Sequence, residues 1–220
     1  MRDRLAHAAD GPLRIVHRGP HSIYLELDDR CLGVVDSVAA QVPCALRTPS
    51  LAAITGEEAY VVRGVLHLDG VPVPVGRIVQ VEVPALRALP RLVTGDQSLA
   101  DDPESGVARL VGAGDGLTPY GDDVLCGWLA VHRAAGVATP AVDAAVRGRL
   151  HRTTLLSATL LDCALHGEVL PEFSTWVAAL GTPREPTAAA ALEAVGHTSG
   201  RGLLAGGRWG LAELTKEAAA

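Results

Sequence analysis

The spacing of apolar residues changes character partway along the chain. From residue 13 to residue 83, β-branched runs such as SIYLELDD and YVVRGVLHLDG alternate apolar and polar side chains and are separated by Gly, Pro or Asp. From residue 97 onward, Ala-rich and Leu-rich stretches recur at helical spacing. Alternation with period two is typical of half-buried strands, whereas a period of about 3.6 residues is typical of amphipathic helices.

Strands that precede helices, instead of alternating with them, indicate an α+β fold. We expect a β-rich domain over residues 1–95, with five to seven antiparallel strands in a small barrel or sandwich. A mainly α-helical domain is expected over residues 96–220. Within the β-rich part, Asp69-Gly70 predicts a tight hairpin turn. The helical stretches are DDVLCGWLAVHRAAG, TPAVDAAVRGRLHRTTLLSATLLDCALHG and GRGLLAGGRWGLAELTKEAAA.

Composition and charge argue against several classes of protein. The 19 basic and 25 acidic side chains give a formal net charge of -6 without any block of like charge, and aromatic residues make up 3% of the chain. Nucleic acid is therefore not expected as a partner. The sequence contains neither a signal-peptide pattern nor a run of about 18 uncharged apolar residues. We expect a soluble, cytoplasmic protein without a membrane partner.

The four cysteines stand far apart in the sequence and form no CxxC pair. This spacing indicates neither a zinc site nor a small disulfide framework. We expect reduced thiols that are mostly buried.

The strongest local signal is the glycine-rich segment GAGDGLTPYGDD at residues 112–123. Its glycines permit backbone conformations closed to other residues, and Thr118-Pro119 predicts a helix that begins at Thr118. The N–H groups and positive dipole end of such a helix suit a phosphate or carboxylate. The alternative is a tight turn before a capped helix. The segment lacks the lysine of a P-loop and the GxGxxG spacing of a dinucleotide site, so neither ATPase nor Rossmann chemistry follows.

Asp122 and Asp123 diverge by about 100° on a helix, so they cannot both face one ligand squarely. We expect Asp122 to hold either a divalent cation such as Mg²⁺ or the amide of a carbamoyl group. Asp123 is expected to cap the N-terminus of the helix or to support the residues that contact the ligand. In the alternative interpretation both carboxylates only complement the helix dipole. No other cofactor is indicated.

Two further polar clusters follow, RTTLLS at residues 152–157 and GHTSG at residues 196–200. In the first, Thr153 and Ser157 would share a helix face and donate to an anion, or instead bond to helix carbonyls. In the second, His197 could bind an anion or act as an acid or base, or accompany a simple helix cap. The stripe Gly202, Gly206 and Gly210 predicts close helix packing.

The three clusters together define the candidate site, which combines two catalytic candidates with a set of ligand-binding candidates. The catalytic candidates are Asp122, also the candidate metal ligand, and His197. The ligand-binding candidates are Gly112, Gly114, Gly116, Thr118, Gly121, Asp123, Thr153, Thr154, Ser157, Thr198, Ser199 and Gly200.

The phrases GAGDGLTPYGDDVLCG, TTLLSATLLDCALHGE and GHTSGRGLLAGGRWGL, in this order, resemble the AllH-type family. That family is linked to the oxamate carbamoyltransferase of anaerobic allantoin breakdown. Its most distinctive phrase is G-x-G-x-G-L-T-P-S-G-D-D. The present chain departs from it at Tyr120, where serine is common, and at Asp115, where proline is frequent. The first departure removes a small hydroxyl from the expected anion pocket, and the second adds a negative charge beside it.

The resemblance implies carbamoyl transfer from carbamoyl phosphate to oxamate, giving oxalurate and phosphate, in an assembly with partner subunits. Two alternatives remain open. A non-catalytic regulatory subunit would bind the same metabolite without turnover, and a purely structural partner would bind no ligand.

Overall fold

The computed structural model describes residues 2–49, 51–54, 56–86 and 98–219. The chain divides into two compact units, Met1–Gln80 and Val81–Ala220. The domain boundary expected between residues 95 and 96 lies outside the described residues, and so do residues 87–95 of the expected connector.

The first unit contains a short N-terminal helix and two four-stranded sheets. The helix is α1 (Arg2–His7), which the strand pattern did not predict. One sheet has the order β1-β6-β7-β8 and the other has the order β2-β3-β4-β5. The strands are β1 (Gly11–Pro12), β2 (Arg14–Arg18), β3 (Ser22–Leu27), β4 (Arg30–Val35), β5 (Ala45–Arg47), β6 (Ala59–Val62), β7 (Val65–Leu68) and β8 (Val71–Val73).

The two sheets share one apolar core, so the β-rich unit is a sandwich of two separate sheets. Strand β7 shows why, since Leu66 and Leu68 are fully buried while their neighbours along the strand are only partly covered. The other sheet contributes buried residues such as Leu25 and Leu32 to the same cluster. Side chains of alternate positions therefore meet between the sheets, as the period-two pattern predicts.

Three expectations for the strands were wrong. The described residues form eight strands, whereas five to seven were expected. Strand β5 pairs with β4 in parallel, whereas all strands were expected to be antiparallel. The VPVPVGRIVQVEV run is a strand only as far as Val73; beyond it, the described residues up to position 83 contain a single isolated bridge, between Glu82 and Glu168. Strand β8 lies at the edge of its sheet, where Pro72 is tolerated, and it ends at Val73.

The hairpin turn predicted at Asp69-Gly70 is confirmed. Asp69 has a φ of 48° and Gly70 a φ of 80°, as a type I′ turn between β7 and β8 requires. The Asp69 carboxylate also accepts backbone N–H bonds from Gly56 at 2.5 Å, Glu57 at 2.7 Å and Glu58 at 3.0 Å. One side chain thus fixes both the turn and the loop before β6.

The second unit is helical, which confirms the α+β class. Its helices are α2 (Pro103–Leu110), α3 (Tyr120–Ala134), α4 (Pro140–Arg147), α5 (Leu155–Leu165), α6 (Pro171–Ala179), α7 (Glu185–Glu193) and α8 (Ser199–Ala219). No helix in the described part of the chain has both the length and the apolar character needed to cross a bilayer.

Three details differ from the helices that were expected. The stretch at residues 139–167 is not one helix, because α4 ends at Arg147 with Gly148 at its C-cap, and a 3-10 turn, Leu150–Arg152, precedes α5. The sequence pattern did not predict α6 or α7. Helix α3 begins at Tyr120, with Pro119 at its N-cap position, and not at Thr118.

Helices α3 and α8 pack at unusually close range, as the glycine stripe predicted. A Cβ atom on Gly206 would lie 1.8 Å from the carbonyl oxygen of Val124, and one on Gly127 would lie 2.1 Å from that of Leu203. Helix backbones can approach this closely only where side chains are missing. The prediction of buried cysteines is also confirmed, since all four lie in the interior.

Candidate functional site

The loop between α2 and α3 depends on glycines at defined positions. Gly112, Gly114 and Gly116 have φ values of 74°, 117° and 89°, a region that other residues rarely adopt. A Cβ on Gly112 would lie 2.5 Å from the carbonyl oxygen of Arg152, and one on Gly114 would lie 2.8 Å from the Tyr120 nitrogen. A Cβ on Gly116 would meet no other atom within 4 Å. The first two glycines therefore permit close packing, and the third faces outward.

Most backbone N–H groups of this loop have no acceptor. Ala113 donates to the Leu110 carbonyl at 2.9 Å, and Gly112 donates to Oδ1 of Asp122 at 2.8 Å. Beyond them, within the described part of the chain, no protein group accepts the N–H of residues 114–118 or 120. In α3 itself, Gly121 donates to the Ala113 carbonyl at 2.8 Å, and Asp122 and Asp123 donate to the Pro119 carbonyl at 3.0 Å and 3.2 Å, so the open donors are those of the loop and of Tyr120. Open N–H donors just before a helix suit an anion.

Asp122 ties the loop to the second polar cluster. Its side chain is fully buried, and Oδ2 accepts hydrogen bonds from the Ser157 hydroxyl at 2.7 Å and from the Thr153 hydroxyl. Together with the Gly112 N–H on Oδ1, three donors hold this carboxylate. Thr153 lies before α5 in extended conformation, so it does not share a helix face with Ser157 as expected. The carboxylate brings them together instead.

Two further hydroxyls join the loop to the other clusters. Thr154 caps α5 by accepting the Ser157 N–H at 3.1 Å, and it donates to the Leu117 carbonyl at 2.5 Å. On the other side, Thr118 Oγ1 and Ser199 Oγ lie 2.8 Å apart, and either hydroxyl can be the donor. Residues from all three clusters therefore meet at the start of α3.

Asp123 points away from Asp122, toward the beginning of α8. Its side chain is 4% exposed, and its Oδ2 atom has no hydrogen-bond partner. A Cβ on Gly202 would lie 2.7 Å from the Asp123 Cβ, so glycine at this position makes room for the carboxyl group. Burial raises the pKa of Asp123 to about 7, a hydrogen bond from Ser199 lowers it in part, and the neighbouring charge of Asp122 raises it.

Among the remaining candidate residues, His197 lies at the surface, whereas the glycines pack against neighbouring backbone. The side chain of His197 is exposed and makes no hydrogen bond to the loop; its carbonyl accepts from Arg201 at 3.0 Å. Thr198 accepts the Gly202 N–H through its own carbonyl at 3.0 Å. Gly121 and Gly200 are packing positions, because Cβ atoms there would lie 2.1 Å and 1.8 Å from neighbouring carbonyl oxygens. The catalytic roles expected for Asp122 and His197 stay predictions.

Sequence reasoning left two exposed cations out of the candidate site. Arg152 precedes Thr153, and its carbonyl oxygen lies against Gly112; Arg201 follows Ser199 by two residues. Their positions beside the second and third clusters were visible in the sequence. A single arginine on a helical stretch is usually a solvated surface residue, so spacing alone did not distinguish them.

No metal centre marks the site in the described residues. Within these ranges, no group of three or more His, Cys, Asp or Glu side chains could hold a metal ion. An open cavity of about 390 Å³ lies at the other end of α3, where Arg133 donates to Asp143 at 2.6 Å, to Thr139 at 3.0 Å and to the Leu165 carbonyl at 2.9 Å. Those contacts give Arg133 a structural role away from the loop.

Comparison with known proteins agrees with the resemblance carried by the three phrases. No curated protein and no solved structure shows a significant match to the chain. A family model does match, over residues 110–211, which include the glycine loop, the RTTLLS cluster and the GHTSG cluster. The description of this model is oxamate carbamoyltransferase subunit AllH. The resemblance to the AllH-type family is thus confirmed over residues 110–211.

Proposed function

We propose that this protein binds a small anionic metabolite at the glycine loop and acts as a subunit of an oxamate carbamoyltransferase-like enzyme. The observation that carries the proposal is the row of backbone N–H groups at residues 114–118 and 120, which have no acceptor among the described residues. The family description supports a carbamoyltransferase as the class of enzyme. Because it calls the family member a subunit, it also supports an assembly with a partner protein.

The ligand in this proposal is a phosphate, a carboxylate or a carbamoyl compound. Backbone N–H groups held by a rigid loop stabilise negative charge without having to reorganise when the charge develops. Three hydrogen bonds make the loop rigid. Asp122 accepts the Gly112 N–H, Thr154 donates to the Leu117 carbonyl, and the hydroxyls of Thr118 and Ser199 bond to each other. Arg152 and Arg201 stand beside the second and third clusters in the sequence, and their guanidinium groups donate to the carbonyls of Ala108 and His197.

A second candidate function is a metabolite-binding subunit without chemistry of its own. Asp122 favours it, because three protein donors already engage this carboxylate, which leaves it poorly placed to coordinate Mg²⁺ or an amide. The exposed His197, without a contact to the loop, favours it as well. In this case the reacting groups would belong to a partner subunit.

Turnover and binding measurements on the purified chain separate these functions. Phosphate release from carbamoyl phosphate that depends on oxamate would support an enzyme acting alone. Calorimetric binding of carbamoyl phosphate or oxamate without release would support the binding subunit. If neither compound nor inorganic phosphate binds at millimolar concentration, the anion-binding proposal is wrong.

Gly116→Ala and Gly136→Ala make a matched pair for the same experiment. Both glycines have positive φ, at 89° and 71°, and both have open space where a Cβ would stand. The backbone strain of the two substitutions is therefore similar. Only Gly116 lies in the loop, so binding should weaken in Gly116→Ala and persist in Gly136→Ala.

A further inference from the structure

The aspartate that follows Asp122 keeps a buried oxygen atom without a hydrogen-bond partner. The Asp123 side chain is 4% exposed, and Oδ2 receives no hydrogen bond in the described part of the chain. Asp122 is the opposite case, because three protein donors engage its carboxylate. A buried acceptor that is left without a donor is costly, so the Asp123 oxygen points to a donor that the described residues do not supply.

Asp123 lies one helical turn from the open N–H groups of the glycine loop. Tyr120, whose N–H has no acceptor among the described residues, precedes Asp123 by three residues, so the two share a face of α3. Helix side chains lean toward the N-terminus, which directs the Asp123 carboxyl group toward that turn. A Cβ on Gly202 would lie 2.7 Å from the Asp123 Cβ and 3.3 Å from Cδ2 of Tyr120. The open acceptor and the open donors are therefore neighbours where α3 meets α8.

The Tyr120 ring is the outer neighbour of this carboxyl group. Tyr120 is 42% exposed, whereas Gly121, Asp123 and Val124 beside it on α3 are buried. An exposed side chain changes its rotamer within nanoseconds, so the ring can turn toward solvent while the core keeps its packing. Such a turn opens a path from the glycine loop to Oδ2 of Asp123.

We propose that Oδ2 of Asp123 accepts an N–H bond from the same ligand whose anionic group is bound by the glycine loop. The inference rests on the proposed anion site, and it narrows the ligand to compounds that carry an NH₂ group beside the anionic group, such as oxamate or carbamoyl phosphate. The loop N–H groups recognise only the anionic end. A carboxyl group is unsuited to that end, because like charges repel, and it suits the NH₂ end.

Ligand pairs that differ only by CH₃ in place of NH₂ test the inference. Oxamate is compared with pyruvate, and carbamoyl phosphate with acetyl phosphate, by calorimetric titration of the full chain. We expect the NH₂ member of a pair to bind at least about tenfold more tightly, because the methyl analogue leaves the buried oxygen without a donor. Asp123→Ala should bind both members of a pair with similar affinity.

Asp115→Ala is the matched control, because it removes the same charge from an exposed position in the loop. This variant should keep the tenfold difference within each pair. A second measurement needs no substitution. The carboxyl ¹³C resonance of Asp123 should shift markedly more on saturation with oxamate or carbamoyl phosphate than with the methyl analogue of either compound.

The outcomes separate this inference from the anion site on which it rests. Equal affinity within each pair that binds, a difference that persists in Asp123→Ala, or a difference that Asp115→Ala also abolishes would overturn the role of Asp123 and leave the anion site standing. Equal ¹³C shifts for the two members of a pair would do the same. If neither pair nor inorganic phosphate binds, the anion site and this inference are both wrong.

Discussion

Thr118 and Ser199 stand 81 residues apart in the chain, and their hydroxyl oxygens lie 2.8 Å apart. This contact joins the loop before α3 to the first turn of α8. Ser199 also acts on the buried carboxyl group of Asp123, whose pKa it lowers in part against the effect of burial. The GHTSG cluster and the glycine loop are thus parts of one structure.

Replacing Ser199 by Ala should destabilise the protein in a way that depends on pH. The substitution removes a hydrogen bond from a buried carboxyl group, which we expect to cost about 1–2 kcal/mol, and it raises the pKa of Asp123 further. The loss should be larger at pH 8, where Asp123 is ionised, than at pH 5. Denaturant unfolding at both pH values measures it. Thr198→Ala is the control, because that hydroxyl makes no hydrogen bond in the described residues; equal losses in both variants would contradict the account.

Asp122→Asn should strongly lower the free energy of unfolding, whether or not a ligand is bound. Asparagine presents an N–H₂ group where the carboxylate now accepts from Gly112, Thr153 and Ser157. Disrupting such charge-assisted bonds in the interior should cost roughly 2–4 kcal/mol in free energy of unfolding. Asp115→Asn, at an exposed loop position without a contact, should cost less than about 0.5 kcal/mol. A loss below about 1 kcal/mol for Asp122→Asn would mean that these bonds do not hold the loop.

Gly206→Ala should separate α3 from α8. A methyl group at this position meets the Val124 carbonyl at 1.8 Å, which no side-chain rotation can relieve. Overpacking of this kind typically costs about 1–3 kcal/mol. The control is Gly148→Ala, where the nearest atom would be 3.4 Å away and φ is -63°. If denaturant unfolding gives the two variants the same stability, the close helix contact is wrong.

The stability of the protein should respond to pH through Asp123. Its pKa is about 7 in the folded state against 3.8 for an unperturbed group, so the folded state binds more protons between these values. The stabilising contribution is complete below about pH 4 and is lost as pH rises to about 7. Asp123→Asn lacks this dependence, so its stability relative to the parent should increase by up to about 1.4 kcal/mol per pH unit across that window. A constant difference from pH 4 to pH 8 would argue against the raised pKa.

Much of the architecture follows from local sequence patterns, and the exceptions have identifiable causes. The Asp69-Gly70 turn, the sheets and the glycine stripe on α8 depend on residues close together in the chain. Strand β5 is too short to show an alternating pattern, and β8 ends at Val73 although apolar residues continue beyond it. Helix α3 starts at Tyr120 because Pro119, and not Thr118, takes the capping position.

The residues of the candidate site could be predicted from the sequence, but the hydrogen bonds that connect them could not. The sequence indicated that three polar clusters belong together, and contacts through Asp122, Thr154 and Ser199 join them. The hydrogen-bond partners that engage Asp122 but leave one oxygen of Asp123 without a partner include Thr153 and Ser157, which are 31 and 35 residues from Asp122 in the chain. Local spacing carries no information about such partners. The divergence of Asp122 and Asp123 was expected, whereas their hydrogen-bond partners had to come from the structure.

The central claim is that the N–H groups before α3 bind an anion, and amide chemical shifts measure this most directly. Inorganic phosphate is titrated into ¹⁵N-labelled protein, with sodium chloride at equal ionic strength as the control. The account predicts saturable shifts of the Gly114, Gly116 and Thr118 amides, with much smaller shifts in Gly116→Ala than in Gly136→Ala. Shifts confined to the cavity beside Arg133, or no saturable shift in the loop, would contradict it.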